Sequence, residues 1–261
     1  MARILYAVNG DGLGHATRAH SVARSLIERG HEVRFLASLK SAVYLDRVFP
    51  GQVDRTFGLC ISYHQGRAHA YRTIVENIRR ACSEWSEGKS VIKRAFRTFK
   101  PHLLVTDFEP LTAYYARRFH VPFVSVDNQH LITHCAYEQP TATFVDRMNA
   151  YMTVRLYYGG ARNYLIPTFI RAPIRFQPAE LVDPILRPAV YDLPTERGGF
   201  LLAYKGAGGE NDAMRTTLES YDRMPIRAYG FGVEGRRGSV TFKPNAGEEF
   251  LTDLAGCAGV I

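Results

Sequence analysis

Residues 3–37 read as a single strand–loop–helix–strand unit, and this unit limits the folds open to the chain. Arg3 to Val8 (RILYAV) is a short apolar run of strand formers, followed by a glycine-rich loop from Asn9 to Gly14. Ala16, Ala19, Val22, Ala23, Leu26 and Ile27 then recur at helical spacing, with Arg18, Arg24, Glu28 and Arg29 between them. Gly30 is a natural helix stop, and Glu32 to Ala37 is a second strand. Such a unit is a right-handed βαβ crossover and requires a parallel sheet.

The alternation continues. Expected helices are Ser41 to Val48, Arg72 to Phe99 (in one piece, or in two broken near Gly88) and Leu111 to Phe119. Expected strands are Val53 to Ile61, His102 to Thr106 and Val121 to Val126. Apolar strands alternating with helices define a doubly wound α/β domain, expected over residues 1–165 with a helix-rich close from Pro140 to Tyr164. Residues 166–194 hold six prolines: Pro167, Pro173, Pro178, Pro184, Pro188 and Pro194. Helices and central strands reject that density, so the segment reads as an interdomain linker. The rhythm resumes over residues 195–261 with strands at Gly199–Tyr204, Ile226–Phe231 and Val240–Lys243, and helices at Glu210–Tyr221 and Glu248–Leu254. Gly259-Val260-Ile261 reads as the opening of a further strand, so this second domain is expected to be incomplete.

A hydrophobic share of 46% can bury one large core or two smaller ones, and 22% charged residues argue against wholesale disorder. The net charge of +8 suits an anionic partner, or is simply a solvated basic surface. Cys60, Cys82, Cys135 and Cys257 include no CxxC pair, which argues against a zinc ribbon and fits free cytosolic thiols. The first apolar run breaks at Asn9-Gly10 without a cleavage site, and no stretch approaches the roughly 18 apolar residues of a membrane span. The expected location is cytoplasmic, at most peripheral on the inner face of a membrane.

Gly10, Gly12 and Gly14 lie between a strand and a helix, where backbone amides and the helix N-terminus favour an anion. Dinucleotide binding fits poorly. The spacing is G-x-G-x-G, and no acidic residue ends the second strand. A P-loop is absent. His15 is either a polar residue of the first helical turn or a general base facing the carboxyl edge of the sheet. Asp107 follows an apolar strand, either as a helix N-cap or as the carboxylate that orients the imidazole. Arg18 is a phosphate candidate or a solvated helix residue. Gly206, Ala207, Gly208 and Gly209 form a second glycine cluster that can face a diphosphate.

The opening ILYAVNGDGLGHATRAHSVARSLIERGHEV resembles the first βαβ unit of GT-B-fold glycosyltransferases. It is similar above all to relatives of the N-acetylglucosaminyl transferase that makes lipid II, the family 28-like group. Leu104-Val-Thr-Asp107-Phe-Glu-Pro110 resembles the group's second signature, and Pro184-Ile-Leu-Arg-Pro188 resembles its linker into the donor domain. The resemblance implies two Rossmann-like domains, an acceptor on the first and a nucleotide sugar, UDP-linked, held mainly by the second. It further implies His15 as base supported by Asp107, inversion at the anomeric carbon, and no bound metal or other cofactor. The nearest approach to a metal-binding Asp-x-Asp is Asp107-Phe-Glu109. The family's glycine- and glutamate-bearing donor motif would follow Gly259, so the chain as it stands is expected to lack main donor contacts.

The expected partners are a nucleotide-sugar donor and a hydroxyl acceptor in cell-envelope glycan or glycolipid synthesis. Arg79, Arg80, Lys89, Lys93, Arg94, Arg97 and Lys100 on one helical segment are a solvated face or a contact with an anionic membrane carrying a lipid-linked acceptor. A sugar-nucleotide epimerase and a non-catalytic sugar-nucleotide-binding fragment stay open as alternatives. A nucleic-acid partner is not expected, because no zinc finger or RNA-recognition signature accompanies the charge.

Overall fold

A computed structural model describes residues 1–60, 62–64, 67–68, 70–136, 144–193, 196, 198–205, 212–244 and 247–261. It divides into two compact units. The first comprises Met1–Cys60 and Arg79–Arg187, the second Ile61–Ile78 and Pro188–Ile261.

The first unit begins with β1 (Arg3–Val8), α1 (Leu13–Glu28), β2 (Glu32–Ala37), α2 (Leu39–Val48) and β3 (Val53–Arg55). The chain then enters the second unit with a two-stranded antiparallel ribbon, β4 (Tyr63–His64) and β5 (Arg67–Ala68), and the first turns of the long helix α3 (Ala70–Phe99), which belongs to the first unit from Arg79 onward. Then follow β6 (Leu103–Asp107), α4 (Pro110–Arg118), β7 (Phe123–Val126), α5 (His130–His134), α6 (Phe144–Tyr158), β8 (Asn163–Pro167) and β9 (Ala179–Val182). Seven strands form one sheet in the order β3-β2-β1-β6-β7-β8-β9, with every neighbouring pair parallel.

Both faces of this sheet are covered, which is why its strands read as unbroken apolar runs. Leu5, Ala7 and Leu104 point to one core with Ile92, Phe96, Ala113 and Tyr158. Ile4, Tyr6, Val8, Phe35 and Val105 point to the other. There α1 lays Ala16, Ala19 and Ala23 against the sheet. Small side chains let this helix lie close, and its first turn is thereby held near the ends of β1 and β6.

Three expectations change or narrow. Of the strand expected over Val53 to Ile61, Val53–Arg55 forms one, the described residues 56–60 do not, and Ile61 lies outside the described residues. α3 runs unbroken through Gly88, where a side chain would strike the Phe57 backbone N and Cβ at 2.7 Å, so the glycine is a packing notch. The linker expected over 166–194 lies partly inside the first sheet: β8 runs to Pro167, and Ala179–Val182 adds a parallel edge strand. Pro178 and Pro184 only bracket that edge strand, a placement prolines tolerate. The units divide at Arg187 and Pro188.

The second unit holds a 3-10 turn at Pro188–Val190, then β10 (Leu201–Tyr204), α7 (Asp212–Glu219), β11 (Ile226–Tyr229), β12 (Gly235–Arg237), β13 (Val240–Lys243), α8 (Gly247–Gly256) and β14 (Gly259–Val260). The sheet order is β12-β13-β11-β10-β14, parallel except for β12. Its core is built from Ala203, Leu218, Ile226, Ala228, Phe231, Val240 and Phe242.

Candidate functional site

In the first sheet the strand order reverses between β1 and β6: β1 leads outward through β2 to β3, and β6 leads the other way. Loops leaving the carboxyl ends of two such strands part company and open a crevice, the usual ligand position in this architecture. Val8 pairs in register with Asp107, so the glycine loop and the end of β6 lie side by side.

Asn9 organises the loop. Its backbone N donates to the Asp107 carbonyl at 2.9 Å, its Nδ2 donates to the Phe108 carbonyl at 2.9 Å, and its Oδ1 accepts from the Asp11 amide at 2.8 Å. Ser41 Oγ on α2 donates to the Asn9 carbonyl at 2.5 Å. A side chain at Gly10 would meet Ser38 Oγ at 2.2 Å and the Ser38 backbone at 2.9 Å, so this close crossing requires glycine. Gly12 is the N-cap of α1 at φ 94°, and no side chain caps the helix. Gly14 is exposed in the first turn, beside the exposed Leu13. The amides that open α1 are therefore left for a ligand.

His15, Arg18 and Asp107 meet at this edge. His15 Nδ1 lies 2.6 Å from Asp107 Oδ1. Arg18 Nε donates to Asp107 Oδ2 at 2.7 Å and Arg18 Nη2 to Oδ1 at 2.6 Å. The Asp107 carboxylate is fully buried, while the His15 and Arg18 side chains keep 18% and 14% of their surface exposed. Burial works against the imidazolium of His15. The Asp107 hydrogen bond and the negative charges of Asp107 and Asp127 outweigh burial and the Arg18 charge, so its pKa is raised above 6.5. Phe108 stands behind the imidazole as a near-parallel ring at 6.1 Å, in a left-handed backbone conformation (φ 54°) unusual for an aromatic residue.

The helix-cap alternative for Asp107 belongs instead to Glu109. Its carboxylate accepts from the amides of Leu111 at 3.3 Å and Thr112 at 2.7 Å, at the start of α4. Glu109 is thus committed to the backbone and Asp107 is left to face the crevice. Arg18 is not a solvated helix residue, since both Asp107 oxygens hold it.

Asp127 escaped the sequence reading. It directly follows β7, is fully buried, and lies 3.9 Å from Arg18 Nη2. Burial and the adjacent Asp107 charge push its carboxyl up to about 7. The signal was available: it is the first residue after a buried parallel strand, the same position rule that singled out Asp107. Beyond it, His130 donates to or accepts from Ser125 Oγ at 2.7 Å, and burial with the nearby His134 drives its pKa down to about 3. His130 is therefore a neutral packing residue.

Gly206, Ala207, Gly208 and Gly209 lie outside the described residues. Among the described residues no group of three His, Cys, Asp or Glu side chains is arranged to hold a metal ion, and no helix is long and apolar enough to cross a membrane.

The sequence matches Glycosyl transferase family 1 over residues 2–261. No curated protein matches it significantly. Several solved structures share its fold. UGT89C1 of Arabidopsis thaliana complexed with UDP aligns with a TM-score of 0.60 at 14% identity, over 99% of this chain and 74% of that one. CalG4, the calicheamicin glycosyltransferase, aligns with a TM-score of 0.59 at 13% identity, over 99% and 75%. MurG of Acinetobacter baumannii aligns with a TM-score of 0.51 at 12% identity, over 98% and 73%. At these identities the likeness bears on fold alone, and the fold is the α/β architecture of GT-B glycosyltransferases.

Proposed function

The chain belongs to Glycosyl transferase family 1, and we propose that it moves a sugar from a UDP-linked donor to an acceptor hydroxyl, with His15 as the general base. The observation that carries this reading is the 2.6 Å contact between His15 Nδ1 and the buried carboxylate of Asp107. An Nδ1–H donated to Asp107 leaves the lone pair on Nε2, and the carboxylate stabilises the imidazolium that forms when Nε2 takes a proton.

In the proposed reaction the acceptor hydroxyl loses its proton to His15 Nε2. The acceptor oxygen bonds to the anomeric carbon from the side opposite the diphosphate. The bond from that carbon to the diphosphate oxygen breaks, and its electron pair leaves with UDP, so the configuration inverts. Negative charge building on the diphosphate is met by the uncapped amides of Leu13 and Gly14. No metal or other resident cofactor takes part, and the nucleotide sugar is a co-substrate. UDP in the Arabidopsis relative supports a UDP-linked donor.

The finer reading is synthesis of cell-envelope glycan or glycolipid at the inner face of a membrane, with a UDP-GlcNAc donor and a lipid-linked acceptor. The similarity of the first forty residues to the lipid II-forming group supports it. So does α3, which exposes Tyr71, Val75, Ile78 and Trp85 among its basic residues.

The test is to incubate the chain, and its His15→Ala and His15→Gln variants, with UDP-sugars and hydroxyl acceptors. UDP release and the anomeric configuration of the product are read by NMR. Loss of turnover in both variants, with an inverted glycoside from the parent, is expected. Equal turnover in all three would remove His15 from the chemistry, and a free epimerised sugar would replace the transferase with an epimerase.

A further inference from the structure

We propose that Arg18 is a positioning residue: it bridges the buried carboxylates of Asp107 and Asp127 and so sets both the orientation and the proton affinity of His15. The inference rests on the reading of His15 as the base, and it gives Arg18 a part other than holding phosphate.

The contacts favour it. A guanidinium that binds both oxygens of one carboxylate fixes the plane of that carboxylate. Here the fork fixes Asp107, at 2.7 Å to Oδ2 and 2.6 Å to Oδ1, and Oδ1 is the atom that meets His15. Arg18 Nη2 also lies 3.1 Å from His15 Nδ1. Two N–H groups do not bond to each other, so both converge on Oδ1, and the imidazole is steered onto an acceptor already held in place. Asp127 lies on the other side of the same Nη2 at 3.9 Å, and its carboxylate also accepts the Gln129 backbone amide at 3.2 Å. The Nε and Nη2 donors of this guanidinium, the fork that would clamp a phosphate, are already committed to a fully buried carboxylate, which makes Arg18 a weak anion site.

The charge count points the same way. The ionisable groups facing His15 are Arg18 on α1, Asp107 on β6 and Asp127 beyond β7, with the fully buried Tyr6 of β1 beside them. Two carboxylates against one guanidinium leave room for one more positive charge or one proton. The imidazolium formed on proton abstraction supplies the charge. Until then the site can hold the proton on Asp127, whose carboxyl is pushed up by burial and by the neighbouring Asp107 charge. Arg18 limits the site to one vacancy. Without it, two buried negative charges would bind the imidazolium too tightly for His15 to stay neutral and act as a base.

The His15 titration separates this role from phosphate binding. The His15 ring would be followed against pH by NMR in the 261-residue chain with labelled histidine, assigned through His15→Gln, in the parent and in Arg18→Met, Arg18→Lys and Asp127→Asn. UDP affinity would be measured on the same proteins by calorimetry. Arg18→Met should raise the His15 midpoint by about one unit. Arg18→Lys, which keeps the charge, should return it most of the way, and Asp127→Asn should lower it. UDP affinity should change less than about threefold. An unmoved or lowered midpoint in Arg18→Met overturns the proposal. If that variant does not fold, an unmoved midpoint in Asp127→Asn does so. A tenfold loss of UDP affinity in Arg18→Met with an unmoved His15 midpoint makes Arg18 a phosphate ligand instead. Turnover retained by His15→Gln would end the base assignment while leaving these titration shifts intact, so the two failures are distinct.

Discussion

Each unit buries aspartates beside cations, one in the second unit and a pair in the first, and the two sites are built differently. In the second unit Asp253 of α8 accepts from Arg227 Nη1, from Tyr229 hydroxyl at 2.6 Å and from Lys243 Nζ at 2.8 Å. Lys243 also reaches Glu249 at 2.5 Å. Burial raises the Asp253 pKa, but these hydrogen bonds more than reverse it, so it is lowered below 3.8. This is a knot tying α8 to β11 and β13, with donors enough for its carboxylate. At the carboxyl edge of the first sheet, Asp107 and Asp127 share a single guanidinium, and Asp127 is driven up to about 7. A satisfied buried carboxylate fastens structure. An under-supplied pair has unspent capacity for a proton, which is what proton transfer needs.

The largest expected effect comes from testing that distinction on the first pair. His15→Gln should cost turnover about 10²–10⁴-fold with little change in melting temperature. If the neutral imidazole of His15 is the base, as proposed, its raised pKa means that parent activity should rise with pH through a midpoint above 6.5. Asp107→Asn should move the midpoint down. If Asp107 were structural in the manner of Asp253, its variant would show in unfolding before it showed in turnover.

Next in size is Asp253→Ala, which removes an acceptor shared by Arg227, Tyr229 and Lys243 and should cost about 3 kcal/mol in urea unfolding. A loss under about 1 kcal/mol would erase the contrast between the two sites.

A smaller and opposite effect is expected at Asp127. Its folded carboxyl titrates near 7 against an ordinary 3.8, so between those values the folded state binds more protons than the unfolded chain. Stability therefore falls as pH rises through that window. Asp127→Asn should remove the fall, raising the melting temperature at pH 8 relative to pH 5. An unchanged pH profile would mean that Asp127 is already ionised and paired.

The smallest effect belongs to a carboxylate that only closes a helix end. Glu109→Ala should cost about 1 kcal/mol in thermal unfolding and leave the His15 titration where it is.

What the sequence disclosed follows from which signals are local. The first βαβ unit, the switch-point strands and the meeting of His15 with Asp107 were legible because strand, glycine loop and helix succeed one another along the chain. The partners of Arg18 were not. Helical spacing puts Arg18 one turn beyond His15, but only packing of α1 against the sheet by Ala16, Ala19 and Ala23 decides that it turns inward. Asp127 obeys the same strand-end rule as Asp107, yet no neighbouring motif drew notice to it. Glu109 and Asp107 compete for the cap two residues apart, and backbone geometry at Phe108 settles which of them turns to the helix. β9 was hidden by its prolines, and β12 (Gly235–Arg237) is a fully exposed edge strand with no apolar alternation to betray it.

The pairing of Val8 with Asp107 has a consequence for how the molecule comes into being. His15 and Asp107 stand 92 residues apart along the chain, and they become neighbours only when β1 and β6 lie in register. A slip of one residue would turn Asp107 to the opposite side of the sheet. During synthesis, then, the histidine spends a long interval as an ordinary imidazole, and it acquires its raised basicity only after a distant stretch of chain has emerged and docked. The raised proton affinity of His15 is thereby tied to the docking of β6 beside β1.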